Sequence, residues 1–235
     1  MALEAFNIDQ GYGVFSRGGY ETARHSHYAI EIVHSLQGSF TITTGTSRHS
    51  NLKSAIIPPN VFHTFDCKEA TCELLFLDPL SQLGTNVLRK YNLVSQRSVL
   101  IDPPGLNRLY KNGKLDILSM RSNARASCGR DLDFRISKCI DAMNSLLTEH
   151  KLTVSRLSKM SFLSESRLSH LFKKQLGISV HQCILWKKVL LAVAKSGEGY
   201  SLTECAHYVG FVDSAHLSKV FYKMFGINPF FVLKS

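Results

Sequence analysis

The sequence predicts two domains of different class: an N-terminal all-β barrel and a C-terminal all-α domain with two helix-turn-helix units. Three observations carry this expectation. Short alternating stretches separated by turn residues fill residues 12–77, the apolar spacing becomes helical after Asp131, and a segment near the C-terminus occurs twice.

The strand reading rests on Ile30–His34, Ser39–Thr43, Ser54–Ile57 and Glu73–Leu77. They are interrupted by Gly18-Gly19, Gln37-Gly38, Gly45 and Pro58-Pro59-Asn60. Strands this short and this evenly spaced fit a sandwich or small barrel. Asp78-Pro79 closes the region. Thr85–Val94 is then expected as a helix, Ser98–Asp102 as a strand, and Leu106–Met120 as a helix broken near Asn112-Gly113. Ser122–Arg130, small, polar and basic, reads as a linker. The expected organisation is a sensor domain over 1–85, a connecting and dimerisation segment over 86–130, and a DNA-binding domain over 131–235.

Past Asp131, Ile136, Cys139, Ile140, Met143 and Leu147 form one apolar stripe at helical spacing. Ser164–Ile178 then recurs as Asp213–Ile227, offset by 49 residues. Leu168, Ser169, Phe172, Lys174, Gly177 and Ile178 match Leu217, Ser218, Phe221, Lys223, Gly226 and Ile227. Each copy has the parts of a helix-turn-helix. Thr153 caps a helix to Met160, Ser161-Phe162-Leu163 makes a turn, and Ser164 caps a second helix to Leu176. In the second copy Ser201 caps a helix to Val209, Gly210-Phe211-Val212 turns, and Asp213 caps the next helix. Gly210 suits a left-handed turn residue. His181–Lys195 reads as one linking helix, with Trp186 as a packing residue.

The second helix of each copy buries one face, Leu168, Leu171 and Phe172 or Leu217, Val220 and Phe221. The opposite face of the first copy offers Ser166, Arg167, Ser169, His170 and Lys173. That of the second offers Ser214, Ala215, His216, Ser218 and Lys219, with Lys223 a turn further on. Small, polar and basic groups of this kind meet base edges and phosphates in a major groove. Charge agrees. Residues 151–235 hold 12 Lys and Arg against 4 Asp and Glu, whereas residues 1–150 hold 16 against 14. The basic end suits a polyanion such as double-stranded DNA.

Other classes are disfavoured. No run of about 18 apolar residues marks a membrane span, and Met1–Gln10 has no apolar core of a secretory signal. The six cysteines show no zinc-finger spacing and read as reduced thiols in a cytoplasm. Cys67 and Cys72 are read as buried thiols, with a redox pair or soft ligand as the alternative.

Residues 131–235 resemble the DNA-binding domain of AraC/XylS-type transcription regulators, most closely over YVGFVDSAHLSKVFYKMFGINP, Tyr208–Pro229. Departures are Tyr222, where Lys is usual, Lys188, where Arg is usual, and Leu233 or Lys234 near a usual Arg. The resemblance implies a monomeric two-headed DNA reader, in many cases an activator that contacts RNA polymerase.

A second constellation lies upstream. After Gly19 come His25, His27, Glu31 and Gly38, and Pro58-Pro59-Asn60-Val61-Phe62-His63 follows. On a strand His25 and His27 share a face, and Glu31 joins them if the strand stays regular. Three imidazoles and a carboxylate suit a divalent transition metal such as Zn, Fe, Mn, Ni or Cu. The spacing resembles the cupin motifs, complete in the first and partial in the second, where Leu52, Asn60 and Cys67 depart from the pattern. Asn60 is a mild change, since Asn tolerates the left-handed turn. A metal site, a metal-free pocket for a small-molecule effector and a purely structural barrel all stay open. His34 and His49 are expected at the surface.

The functional expectation is a cytoplasmic, sequence-specific DNA-binding transcription regulator answering to a small molecule or metal in the barrel, with a homodimer as a further possibility. The alternatives are a metal-dependent cupin enzyme, a dioxygenase or isomerase, with a basic helical appendage, and an architectural DNA-bound protein without a signal.

Overall fold

The structure, a computed structural model, describes residues 2–7, 9–45, 47–93, 98–106, 110–111, 114–116 and 132–229. Contacts divide the chain into two compact units, Met1–Cys128 with Phe221–Val232, and Gly129–Val220 with Leu233–Ser235.

The first unit is built from antiparallel strands. They are β1 (Ala2–Asn7), β2 (Tyr12–Gly18), β3 (Ile30–Gln37), β4 (Phe40–Thr44), β5 (Arg48–Leu52), β6 (Ser54–Ile57), β7 (His63–Asp66), β8 (Thr71–Leu77) and β9 (Leu100–Ile101). One sheet runs β1-β2-β8-β3-β6-β9 and the other β5-β4-β7. The segment before β3 runs along β7, with bridges Glu21 to Asp66 and His25 to His63. All four stretches expected as strands are strands, and the expected β class holds.

Alternation along β3 and β8 gives the large sheet two different faces. Ile30, Ile32, Leu75 and Leu77 belong to an apolar cluster with Leu83, Val87 and Leu88 of helix α1 (Gln82–Lys90). Glu31 and Val33, with Leu74 and Phe76, point the other way, into the space between the sheets. Phe15 and Phe76 pack there edge to face at 5.7 Å, and Phe40 and Phe65 lie 5.4 Å apart. All four rings are at most 3% exposed, so aromatic side chains fill this interior.

Helix α1 starts three residues before the expected Thr85 because Ser81 caps it, accepting from the Gly84 amide at 3.0 Å. A second expectation fails. The described part of Leu106–Met120 is not helical: Tyr110–Lys111 and Lys114–Leu115 are paired antiparallel strands, β10 and β11. Asn112-Gly113, read as a helix break, lies between them, and Asn-Gly is a strong hairpin-turn signal. The expected linker Ser122–Arg130 lies outside the described residues, as does Val94. His34, expected at the surface, is half-buried. It stacks on Tyr110 with ring centroids 3.9 Å apart, and burial lowers its pKa.

The helical part comprises α2 (Phe134–Thr148), α3 (Val154–Met160), α4 (Glu165–Leu176), α5 (Val180–Gly197), α6 (Leu202–Tyr208) and α7 (Ser214–Phe225). Helix α5 touches α2, α4 and α6. It is apolar nearly all round, as an axis helix must be, with Cys183, Trp186, Val189, Leu190 and Val193 buried. Its start carries a full capping box between Ser179 and Gln182. Lys187, buried, donates to Asn144 Oδ1 of α2 at 2.9 Å. No single described helix is long and apolar enough to cross a membrane.

Two substitutions test these packing arguments by urea unfolding followed with far-UV circular dichroism. Trp186 is fully buried, so Trp186→Ala is expected to cost about 3–5 kcal/mol. At Gly84 an added Cβ would lie 2.0 Å from the Asp78 carbonyl oxygen. Asp78 is pinned in turn, its amide donating to Gly11 O at 2.7 Å and its side chain accepting from Tyr28 Oη at 2.8 Å. Gly84→Ala is therefore expected to cost about 1–3 kcal/mol, and an unchanged midpoint would refute the pinned contact.

Candidate DNA-reading helices and a histidine–carboxylate cluster

The two helix-turn-helix units are set by their caps. Thr153 accepts from the Arg156 amide at 3.1 Å and starts α3. Ser164 accepts from the Arg167 amide at 3.2 Å and starts α4. Gly177, at φ 75°, ends α4 in the left-handed conformation. In the second unit Ser201 and Glu204 form a capping box at the start of α6. Asp213 accepts from the His216 amide at 2.7 Å and starts α7.

The turns are related but not equal. Phe162 N donates to Lys159 O and Leu163 N to Ser158 O. Gly210 N donates to His207 O and Phe211 N to Ala206 O in the same pattern. Phe162, at φ 54°, thus takes the place of Gly210, at φ 75°. The second turn holds one more residue, Val212, before its cap. The offset of 49 therefore holds for α4 and α7, while Thr153 and Ser201 are 48 apart. Lys188 of α5 closes on the second turn, donating to Gly210 O at 3.1 Å and lying 5.7 Å from the centre of the Phe211 ring. This is the position where the family resemblance expects Arg.

Helix α4 buries Leu168 and Phe172, and α7 buries Leu217 and Phe221. None of the expected DNA-facing residues is buried. Ser166, Arg167, His170 and Lys173 of α4 are exposed, as are Ala215, His216, Lys219 and Lys223 of α7. Ser169, Ser214 and Ser218 are half-buried. The Ser218 hydroxyl donates to Ser214 O at 2.7 Å, so its proton is engaged by its own helix.

In the first unit, His25, His27, Glu31 and His63 come together, all buried, with one ligand atom from each lying within 4.8 Å of the others. His25 and His63 meet because their backbones exchange hydrogen bonds, 3.0 Å and 2.9 Å. Glu31 comes from β3, and His27 lies on the segment leading into it. Asn60, at φ 61°, donates its amide to His27 O at 2.8 Å, so asparagine does fill a left-handed turn here.

The ring orientations have a simple cause that sequence spacing does not reveal. Each imidazole holds a backbone carbonyl two residues away through Nδ1. The pairs are His25 with Ala23 O at 2.9 Å, His27 with Ala29 O at 3.0 Å, and His63 with Val61 O at 3.0 Å. A carbonyl only accepts, so each Nδ1 carries hydrogen and each Nε2 is turned toward the centre. His27 Nε2 lies 2.9 Å from Glu31 Oε2. His63 Nε2 lies 3.3 Å from the same oxygen, buried and without the alignment of a hydrogen bond.

Charge balance follows. Burial pushes the Glu31 carboxyl up, but its contacts with His27 and His63 outweigh that and hold it below the usual carboxylate range. His25 is pulled down to about 3, first by burial and then by the neighbouring His63 and His27, so it is neutral near pH 7. A buried carboxylate needs a cation. Either an imidazole takes a second proton, or a metal ion stands at the centre. Metal bonds of about 2.0–2.2 Å to such ligands place ligand atoms roughly 3–4 Å apart. The cluster fits that span with small adjustments, and its three Nε2 lone pairs and one carboxylate oxygen are the right donors.

This geometry defines a two-part protein with a β-barrel unit and a helix-turn-helix domain, and comparison with known proteins gives the same class. Residues 157–234 match the family described as a helix-turn-helix domain. Over 101 residues the chain is 31% identical to the probable transcriptional regulator LumQ of Photobacterium leiognathi, covering 39% of this chain and 41% of that protein. Over 103 residues it is 32% identical to the arabinose operon regulatory protein of Escherichia coli strain K12, covering 42% of this chain and 34% of that protein. The chain thus spans less than half the length of these relatives. Among solved structures, an apo form of a ToxT point variant from Vibrio cholerae strain SCE256 superposes with a TM-score of 0.59 at 13% identity. That match covers 95% of this chain and 98% of the other. The unsaturated fatty acid bound wild-type ToxT of the same strain gives 0.57 at 13%, covering 95% of each. These likenesses establish the shared two-domain fold.

Proposed function

We propose that this chain is a cytoplasmic, sequence-specific DNA-binding transcription regulator, and that a divalent transition metal held by His25, His27, Glu31 and His63 is the signal its barrel receives. The DNA reading is carried by the paired helix-turn-helix units, whose recognition helices each bury one face and expose a polar, basic one. Similarity to transcription regulators supports it. A homodimer belongs to the same reading, as does contact with RNA polymerase as an activator, which follows from the family resemblance. The comparisons lend no support to the enzyme alternative.

The metal reading is carried by the three Nδ1 atoms committed to backbone carbonyls, which turn three Nε2 atoms inward beside a buried carboxylate. A bound dication supplies the counter-charge for Glu31 and ties β3, β7 and the segment before β3 to one point. The protein's part is to hold the rings in the ligating tautomer without help from the ion.

Two experiments test these readings separately. Elemental analysis of protein purified without a histidine tag or chelator is expected to give near-stoichiometric metal, absent from a His25→Ala/His63→Ala double variant. No metal in either protein would overturn the metal reading, point to an organic effector and leave the DNA reading standing.

On the DNA side, selection of binding sites from a random pool is expected to return a defined motif. Arg167→Ala and His216→Ala are expected to alter base preference, costing about 1–3 kcal/mol on the selected site. Lys173→Ala and Lys223→Ala are expected to weaken all sequences alike, each lowering the salt slope by about 1. Equal effects from all four would refute the division between base and phosphate contacts. No selected motif would leave only the architectural reading.

A further inference from the structure

The residue after the second turn's glycine links the axis helix to the second reading surface. Phe211, 5% exposed, has Lys188 of α5 and His216 of α7 against its ring. The rings of Phe211 and His216 stand nearly at right angles, 77°, with centroids 5.0 Å apart. Contact of this edge-to-face kind is directional, so a fixed ring limits how its neighbour turns. The His216 backbone is placed as well, its amide donating to Asp213 Oδ1 at 2.7 Å. The residue itself is exposed, on the face expected to meet DNA.

Phe211 is in turn held in place. Its amide donates to Ala206 O at 2.9 Å. Lys188 Nζ lies 5.7 Å from its ring centre, within the range of a cation–π contact. The same ammonium donates to Gly210 O at 3.1 Å. It stands against the bare side of that glycine, where an added Cβ would lie 3.2 Å from Nζ. One lysine therefore fixes both the carbonyl of the turn and the ring beneath His216.

The first unit is built differently. The 49-residue offset puts Arg167 where His216 stands, and the shared turn pattern puts Leu163 where Phe211 stands. Leucine offers no ring to orient a neighbour. The aromatic residue of that turn, Phe162, is 89% exposed. The reading groups differ too. A guanidinium presents a fork of donors, whereas an imidazole presents one ring nitrogen at a time to a base edge. Its orientation therefore decides which major-groove acceptor it meets, a purine N7 or a keto oxygen.

We propose, resting on the reading of His216 as a base-contacting residue, that Lys188 is a positioning residue for that contact. Through Gly210 O and the Phe211 ring it holds the His216 imidazole in one orientation, and so sets which base pair the second unit prefers. Arginine, which the family resemblance expects at this position, has the donor and the charge for both contacts.

The test selects sites from a random pool with the full chain, then measures binding to the selected duplex and to its single-base-pair variants. His216→Ala first identifies the base pair that His216 reads. At that base pair Lys188→Met, which keeps an unbranched apolar stem but removes donor and charge, is expected to lower discrimination several-fold. Preference in the half-site read by α4 is expected to stay unchanged. Phe211→Leu, which gives the second turn the residue of the first, is expected to produce the same loss with Lys188 in place. Lys188→Arg is expected to keep the original preference. Adding Lys188→Met to His216→Ala is expected to cost no further discrimination, because the group acted upon is gone. Circular dichroism on each variant confirms that it folds. Loss of affinity in Lys188→Met that is equal for every sequence, or loss of preference in both half-sites, would mark a merely structural role and overturn the proposal while leaving His216 as a reader. Preference unchanged in His216→Ala would overturn the base-contact reading and the proposal with it.

Discussion

The barrel is organised around one electrostatic constraint: Glu31, 2% exposed, carries a carboxylate into an interior otherwise filled by aromatic rings. An isolated charge in that setting costs several kcal/mol. Three imidazoles surround it, each held to a backbone carbonyl through Nδ1, and His27 also meets the carboxylate through Nε2. The backbone contacts pre-arrange the rings to face inward. Pre-arrangement of this kind is what a metal centre asks of its protein, because ligands held before the ion arrives need no ordering when it binds. It also explains why the ligands come from three segments. The His25–His63 backbone pairing, the entry into β3 and β3 itself are separate pieces of main chain, and one ion between them would act on all three.

The helical part depends on a different arrangement. Helix α5 is the axis, and its two neighbouring lysines serve different ends. Lys187 is turned inward to Asn144, while Lys188 reaches the carbonyl of the left-handed Gly210. The second turn is thus braced by the axis helix and has glycine where the backbone needs it. The first turn places Phe162 in the left-handed region, 89% exposed, where a non-glycine residue is strained by about 1 kcal/mol or more. The two units share a hydrogen-bond pattern but not a sequence solution.

Much of this was legible because the signals are local. The caps at Thr153, Ser164, Ser201 and Asp213 are short-range chemistry, and each starts the helix it was expected to start. The strands Ile30–His34 and Glu73–Leu77 show their alternation directly. The gathering of His25, His27, Glu31 and His63 was partly legible from their spacing, although bends at Tyr28 and Ala29 interrupt the regular strand which that spacing presumes. What escaped depended on longer-range facts. The β10–β11 pairing was hidden because Asn112-Gly113 reads equally as a helix break. The half-burial of His34 escaped because Tyr110, which stacks on it, lies 76 residues away. The one-residue lengthening of the second turn was masked by the strong match of the helices that follow it.

Fold likeness and site chemistry carry different information here. A TM-score of 0.59 at 13% identity fixes how the chain is laid out, but says nothing about what fills the space between the sheets. Phe15, Phe40, Phe65 and Phe76 occupy much of that space in this chain, and the imidazole–carboxylate cluster lies against them, His27 and Phe76 edge to face at 5.3 Å. A bare cation at that cluster would displace none of these rings. The side chains of this barrel, more than its topology, therefore bear on the metal reading proposed for it.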